Sequence, residues 1–120
     1  MKIRPEQTDR FREEMLERYV ESMVPHLRKR CPIQTKPLDD DALRERIREG
    51  IAQAKEYGIT DKVDVRRFLE YWARYEGQFG RSPASRWARP HLTNTDLNGS
   101  EKMNLVDDHY VFVIQLGEQS

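Results

Sequence analysis

The chain has 120 residues, a length that suits one domain and can bury a core without a disulfide or a structural metal. Hydrophobic residues make up 37% and charged residues 35%, a balance typical of small helical proteins, in which each helix exposes a wide polar face. Lysine and arginine number 21, as do aspartate and glutamate, and this zero net charge argues against a nucleic-acid binder that works by neutralising phosphates.

The first predicted helix runs from about residue 5 to about residue 30. Pro5 suits the first turn of a helix. Apolar residues then recur every four positions, at Phe11, Met15, Tyr19, Met23 and Leu27. Pro25 lies inside this stripe and predicts a kink or break near residues 22–24. Residues 31–38 contain two prolines and predict a loop.

Two further helices are predicted in the middle of the chain. The second begins in the run Asp39–Asp41, where one aspartate acts as N-cap, and ends at Gly58 in a left-handed C-cap. Gly50 within it is a candidate for a close helix crossing. Thr60 or Asp61 is expected to cap the third helix. Its core stripe is Val65, Phe68, Leu69 and Trp72, with Ala73 beside it.

Shorter elements follow the third helix, which Gly77 and Gly80 are expected to end. Pro83 starts a short helix over about 83–89, and residues 90–99 are rich in turn formers.

The last helix is predicted to begin at Ser100, with Glu101 completing its cap. Its apolar positions are Met103, Val106, Tyr110 and Val113. Residues 107–116 also suit a strand because they are rich in β-branched and aromatic residues, but no partner strand is in sight. The prediction is therefore an all-α, single-domain bundle of about five helices over residues 1–120.

No residue pattern in the chain supports catalysis, cofactor binding or metal binding. The three histidines, His26, His91 and His109, lack the spacing of a zinc site, and no phosphate-binding glycine loop or nucleophile motif is present. Cys31 with His26 is an alternative nucleophile pair, although a packed thiol is preferred. The prediction is a non-enzyme.

The sequence also favours a cytoplasmic location without membrane contact. Cys31 is the single cysteine and cannot form an internal disulfide, and the N-terminus lacks the apolar region of a signal peptide. The longest apolar run, residues 111–114, is far too short to span a bilayer.

The third predicted helix carries a candidate partner-binding surface. Its members share one side of the helix, opposite the core stripe, at spacings of i, i+4, i+7 and i+8. They are Arg67, Tyr71, Arg74 and Tyr75, and we call this set the Arg–Tyr surface. Tyrosine and arginine are favoured at binding hot spots, so we expect an exposed or shallow-groove face that binds another protein. The alternative is that both tyrosines pack against the last helix through Tyr110 and Val113.

The distribution of charge leaves two further alternatives open. Residues 61–89 hold seven basic and four acidic groups, whereas residues 90–120 hold one basic and five acidic groups. The two regions are expected to attract each other within the fold or to steer a partner. A nucleic-acid-binding regulator, with Arg66, Arg67 and Arg74 on phosphates, is the second function considered.

Several segments between residues 3 and 106 carry a resemblance to a known group of proteins. They are EQTDRF, MVPHLRKRCP, LRERIREGIAQAKEYGIT, DVRRFL, the residues GQF, P and W at 77–87, and LNGSEKMNLV. This pattern resembles small proteins encoded in bacterial type VI secretion and related toxin gene clusters. The resemblance implies an accessory role as chaperone, adaptor or immunity partner of a secreted effector. It transfers no functional residue, and the chain from Asp107 onward departs from the pattern.

Overall fold

The computed structural model describes the backbone of residues 5–118 and the side chains of residues 12–117. In chain order the elements are α1 (Pro5–Arg30), α2 (Pro32–Thr35), α3 (Asp40–Glu56), α4 (Lys62–Arg74), a 3₁₀ helix (Pro83–Ala88), α5 (Arg89–Leu92), α6 (Gly99–His109), a π-helical turn (Tyr110–Gln115) and α7 (Leu116–Glu118). This part of the chain contains no strand, which confirms the all-α prediction and the preference for helix over 107–116. Within it, no helix combines the length and apolar character needed to cross a membrane.

Helix α1 matches its predicted span and is not broken near residues 22–24. Pro25 itself is exposed, and the buried side chains of Met23, Val24 and Leu27 hold the helix against the core on either side of it. The side chains of residues 12–18 are all exposed. At 1.5 Å per residue α1 is about 39 Å long, and α3, which packs against it, is about 26 Å long. Helix α1 therefore extends beyond its contact with α3.

Residues 31–38, predicted as a loop, contain the single helical turn α2. Pro32 stands in its first turn, where its missing N–H costs nothing, and the Thr35 hydroxyl donates to the Cys31 carbonyl at 2.8 Å. Arg28 then donates to the carbonyls of Thr35 and Leu38 at 3.0 and 2.9 Å. The Arg28 side chain thus binds the carbonyls at the end of α2 and stabilises a helical turn where the two prolines had predicted a loop.

The ends of α3 and the start of α4 follow the predicted capping chemistry. Asp39 accepts from the Ala42 amide at 2.7 Å, and Asp61, not Thr60, caps α4. Gly58 adopts a φ of +77°, and the Ile59 amide bonds to the Ala54 carbonyl at 2.9 Å. This is the Schellman arrangement, in which glycine at the left-handed position lets the following apolar residue enter the core.

The predicted close crossing at Gly50 is confirmed. A Cβ atom there would lie 2.6 Å from Cδ2 of Leu69 and 2.7 Å from Cδ1 of Trp72, both on α4. The Trp72 indole donates to the Arg46 carbonyl at 3.0 Å and so fixes the ring in the crossing. The predicted stripe is buried throughout: Val65, Phe68, Leu69, Trp72 and Ala73.

The predictions for the start of the last helix and for residues 90–99 are partly wrong. Asn98, not Ser100, caps α6, and it forms a reciprocal capping box with Glu101. Ser100 instead donates to the buried carboxylate of Asp64 at 2.5 Å. Helix α5 occupies part of the region predicted as turns, because Pro90 suits its first turn.

Candidate functional site

Helix α4 carries the Arg–Tyr surface and packs against α1, α3 and α6. Arg67, Tyr71 and Arg74 lie within α4, and Tyr75 is its C-cap residue. The four side chains do not share one environment, because Arg74 is exposed, Arg67 and Tyr75 are half-buried, and Tyr71 is 8% exposed. The expectation of a single exposed or shallow face therefore fails at Tyr71.

Arg67 and Tyr71 bind the same carboxylate on α6. The Arg67 guanidinium donates to Oδ2 of Asp107 from Nε at 3.0 Å and from Nη2 at 2.6 Å, and the Tyr71 hydroxyl donates to Oδ1 at 2.6 Å. Arg67 also reaches Asp64 at 3.0 Å. Burial, followed by the hydrogen bond to Asp107, raises the pKa of Tyr71 far above its usual range. The basic third-helix region thus attracts the acidic C-terminal region within the fold.

Tyr71 also belongs to a cluster of aromatic rings. Its ring centroid lies 5.0 Å from that of Phe79 and 5.4 Å from that of Tyr110. Tyr75 stacks on the same Phe79 ring at 5.6 Å. The intramolecular alternative therefore holds for Tyr71 through Tyr110, but Val113 takes no part in it, since that side chain is 57% exposed.

A cleft of about 660 Å³ opens between the end of α1, α4 and the π-helical turn. Its lining comprises Lys29, Arg30, Cys31, Arg67, Glu70, Tyr71, Arg74, Asp107, Tyr110, Val111 and Gln115. Three members of the Arg–Tyr surface line it, and Tyr75 does not. The Arg–Tyr surface is therefore one wall of a cleft whose other walls come from α1 and the C-terminal segment.

The chemistry at the base of the cleft does not support a cysteine nucleophile. His26 bonds to the carboxylate of Glu70 at 2.9 Å, not to Cys31. The Cys31 thiol donates to the Glu70 backbone carbonyl at 3.5 Å, and burial raises the pKa of this thiol. A thiolate is the reactive form of cysteine, so this environment favours an inert, packed thiol. Among the described residues no group of three or more potential ligands could hold a metal ion.

Both carboxylates that line the cleft are ion-paired, whereas two of its cations have no carboxylate partner among the described residues. Glu70 accepts from Arg30 at 3.0 Å as well as from His26, and Asp107 accepts from Arg67 and Tyr71. Arg74 donates to the Tyr110 hydroxyl at 2.7 Å and lies 5.0 Å over that ring, without a carboxylate partner in the described structure. Lys29 is exposed and makes no ion pair with any described residue.

An exposed apolar segment runs beside the cleft. The exposed fractions are 42% for Val111, 67% for Phe112, 57% for Val113 and 50% for Leu116. Val113, one of the apolar positions predicted for the last helix, is exposed because the helix beyond Tyr110 contacts chiefly α6 and α7, its own continuation. The run VFVI could have signalled this surface, since four consecutive apolar residues on a helix cannot all face one core.

Comparisons with known proteins add no relative: no family model, curated protein or solved structure matches the chain. The resemblance to proteins of type VI secretion clusters therefore stays a prediction.

Proposed function

We propose that the chain is a non-enzymatic protein-interaction module whose docking surface is the C-terminal segment 111–116, which we call the apolar segment. The exposure of its side chains carries the proposal, above all the 67% exposure of Phe112. Adjacent apolar side chains left in water mark interaction sites, and aromatic residues are enriched at the centres of interfaces. Covering the exposed two thirds of Phe112 would contribute about 1–2 kcal/mol to binding.

The Arg–Tyr surface supports this segment and in part extends it. Asp107 lies one turn before Val111, and Arg67 and Tyr71 hold that carboxylate at 2.6 Å. These two residues therefore fix where the apolar segment leaves the body of the protein. Arg74 remains exposed beside it, and we assign Arg74 to the docking surface itself. The four predicted partner-binding residues thus divide into two supporting residues, Arg67 and Tyr71, one contacting residue, Arg74, and Tyr75, which does not line the cleft.

The partner that we propose is a secreted effector or a component of the machinery that loads it. The support for this choice is the resemblance of residues 3–106 to proteins of secretion and toxin gene clusters. A chaperone, an adaptor and an immunity protein would each need a surface that stays accessible until the partner arrives, and the side chains of the apolar segment are exposed. We further propose that the encounter takes place in the cytoplasm.

A nucleic-acid-binding regulator has less support. Of its three candidate phosphate contacts, Arg67 is neutralised by Asp64 and Asp107 at 3.0 and 2.6 Å. Arg66 and Arg74 remain exposed, but a phosphate-binding surface gains most of its affinity from several free cations acting together. Failure to shift a DNA or RNA duplex at about 50 mM salt would remove this alternative.

The direct test is co-purification of the tagged chain with the product of a neighbouring effector gene. We expect the double variant Phe112→Ser, Leu116→Ser to keep its helical circular dichroism and melting temperature, and to lose the partner. Val63→Ser is the matched control, because Val63 is apolar and 55% exposed but lies in the first turn of α4, at the opposite end of that helix from Arg74 and the cleft. Equal retention of the partner by the double variant and the control would contradict the proposal.

A further inference from the structure

We propose that the cleft receives an acidic segment of the partner, so that the partner's carboxylates meet Lys29 and Arg74 while an apolar side chain covers Val111. This inference rests on the proposed function and adds the chemistry of the partner to it. Val111 joins the two sites, because it lines the cleft and also begins the apolar segment.

The argument begins with the charges that the fold leaves unbalanced. Each carboxylate in the cleft already accepts from an arginine, with Glu70 held by Arg30 at 3.0 Å and Asp107 held by Arg67 at 2.6 Å. Lys29 and Arg74 have no carboxylate partner among the described residues. The cleft therefore presents a surplus of positive charge, which favours an acidic occupant.

The geometry of Arg74 favours a carboxylate over other acceptors. A guanidinium has five N–H donors, and Arg74 uses one of them, on the Tyr110 hydroxyl at 2.7 Å. The guanidinium carbon also lies 5.0 Å from the centroid of the Tyr110 ring, a cation–π contact that helps to hold the group at the cleft wall. A side chain held in this way can bind a carboxylate with two parallel hydrogen bonds at low entropic cost.

The lining favours a protein segment over a small free anion. The rings of Tyr71 and Tyr110 and the side chain of Val111 give the cleft apolar walls next to Lys29 and Arg74. A volume of about 660 Å³ accommodates several side chains. An inorganic anion would use the cations and leave the apolar wall uncovered, whereas a segment with both acidic and apolar residues would cover both.

Fluorescence anisotropy with a defined probe tests the inference. The probe is a labelled helical peptide of glutamate, leucine and alanine, and its counterpart carries glutamine in place of glutamate. We expect Lys29→Glu to weaken probe binding about three- to tenfold, since charge reversal replaces an attraction with a repulsion. Lys55→Glu is the matched control, because Lys55 is also an exposed lysine in the last turn of a helix but lies on α3, away from the cleft.

Arg74→Gln removes the second unpaired positive charge of the cleft without altering α1, and so tests the charge independently of any effect of Lys29→Glu on that helix. Arg74→Gln should weaken the probe by a similar factor and keep the helical circular dichroism. Equal binding of the glutamine peptide, an equal effect of Lys55→Glu, or full competition by inorganic phosphate would each overturn the inference. If Phe112→Ser, Leu116→Ser loses the effector while Lys29→Glu retains it, the acidic occupant is wrong and the proposed function stands. Loss with Lys29→Glu and retention with Phe112→Ser, Leu116→Ser would overturn the proposed function instead.

Discussion

Replacing Asp107 tests how the C-terminal segment is attached to the body of the protein. The Asp107 carboxylate accepts from Nε and Nη2 of Arg67 and from the hydroxyl of Tyr71, at 3.0, 2.6 and 2.6 Å. Asp107→Ala removes all three acceptor contacts and leaves the Tyr71 hydroxyl, on a side chain that is 8% exposed, without this partner. The arginine is less affected, because Asp64 and Asn104 still accept from it.

The expected loss follows from those contacts. A hydrogen bond to a charged group contributes about 1.5–3 kcal/mol, and a buried hydroxyl left unpaired costs about 1–3 kcal/mol. The Asp107 side chain is 38% exposed, so solvent screening reduces its share of the charged interaction. We therefore expect Asp107→Ala to lower the free energy of unfolding by about 2–3 kcal/mol, a large part of the 5–15 kcal/mol typical of a domain.

Urea unfolding followed by circular dichroism measures this loss, and the chain provides its own control. Asp108 neighbours Asp107 on α6 and is exposed, and its side chain makes no ion pair or hydrogen bond with the described part of the chain. Asp108→Ala makes the same change in net charge and should alter the stability by less than about 0.5 kcal/mol. If the two variants unfold at the same urea concentration, the Asp107 network does not hold the segment in place.

Three further outcomes follow from the structure. Trp72→Ala should cost about 3–5 kcal/mol in urea unfolding, because the ring fills the crossing of α3 and α4, and a near-native midpoint would contradict that register. Gly50→Ala should destabilise by about 1–2 kcal/mol despite the better helix propensity of alanine, since its Cβ would lie 2.6 Å from Leu69; a stabilised variant would show that the crossing yields. Burial and the adjacent His109, whose Nδ1 lies 3.0 Å from Nε2 of His91, lower the pKa of His91 below its unfolded value of 6.5. The unfolded chain then binds the proton more readily, so the contribution of neutral His91 to stability is present above about pH 6.5 and is lost as the pH falls below it. Below about pH 6.5 the melting temperature of His91→Asn should therefore depend less on pH than that of the unaltered protein.

Much of the fold could be predicted from local signals. Asp39 and Asp61 cap helices because a short acidic side chain can accept from the first amides, whatever the rest of the chain does. Gly58 ends α3 for an equally local reason, and the 3.6-residue period identified the stripe from Val65 to Ala73. Gly50 marked the helix crossing because a glycine in a helix interior needs a compensating close contact.

The candidate site could not be predicted in the same way. Periodicity put Tyr71 opposite the core stripe, but the turn at Gly77 and Gly80 returns Phe79 against it, and Tyr110 covers it from a helix far along the chain. The burial of Tyr71 thus depends on contacts between segments that sequence spacing does not link. The exposure of Val113 has a similar origin, because it depends on where the last helix leaves the body.

Site-specific photocrosslinking tests the central claim, that the apolar segment is the docking surface, most directly. A photoreactive benzoylphenylalanine would replace Phe112 in one preparation and Val63 in another, since both positions are exposed and apolar and Val63 lies outside the cleft lining. Each protein would be irradiated together with the co-expressed product of a neighbouring effector gene, the proposed partner. We predict a crosslinked heterodimer from position 112 and none from position 63. A crosslink from position 63 alone, or equal crosslinks from both positions, would contradict the claim.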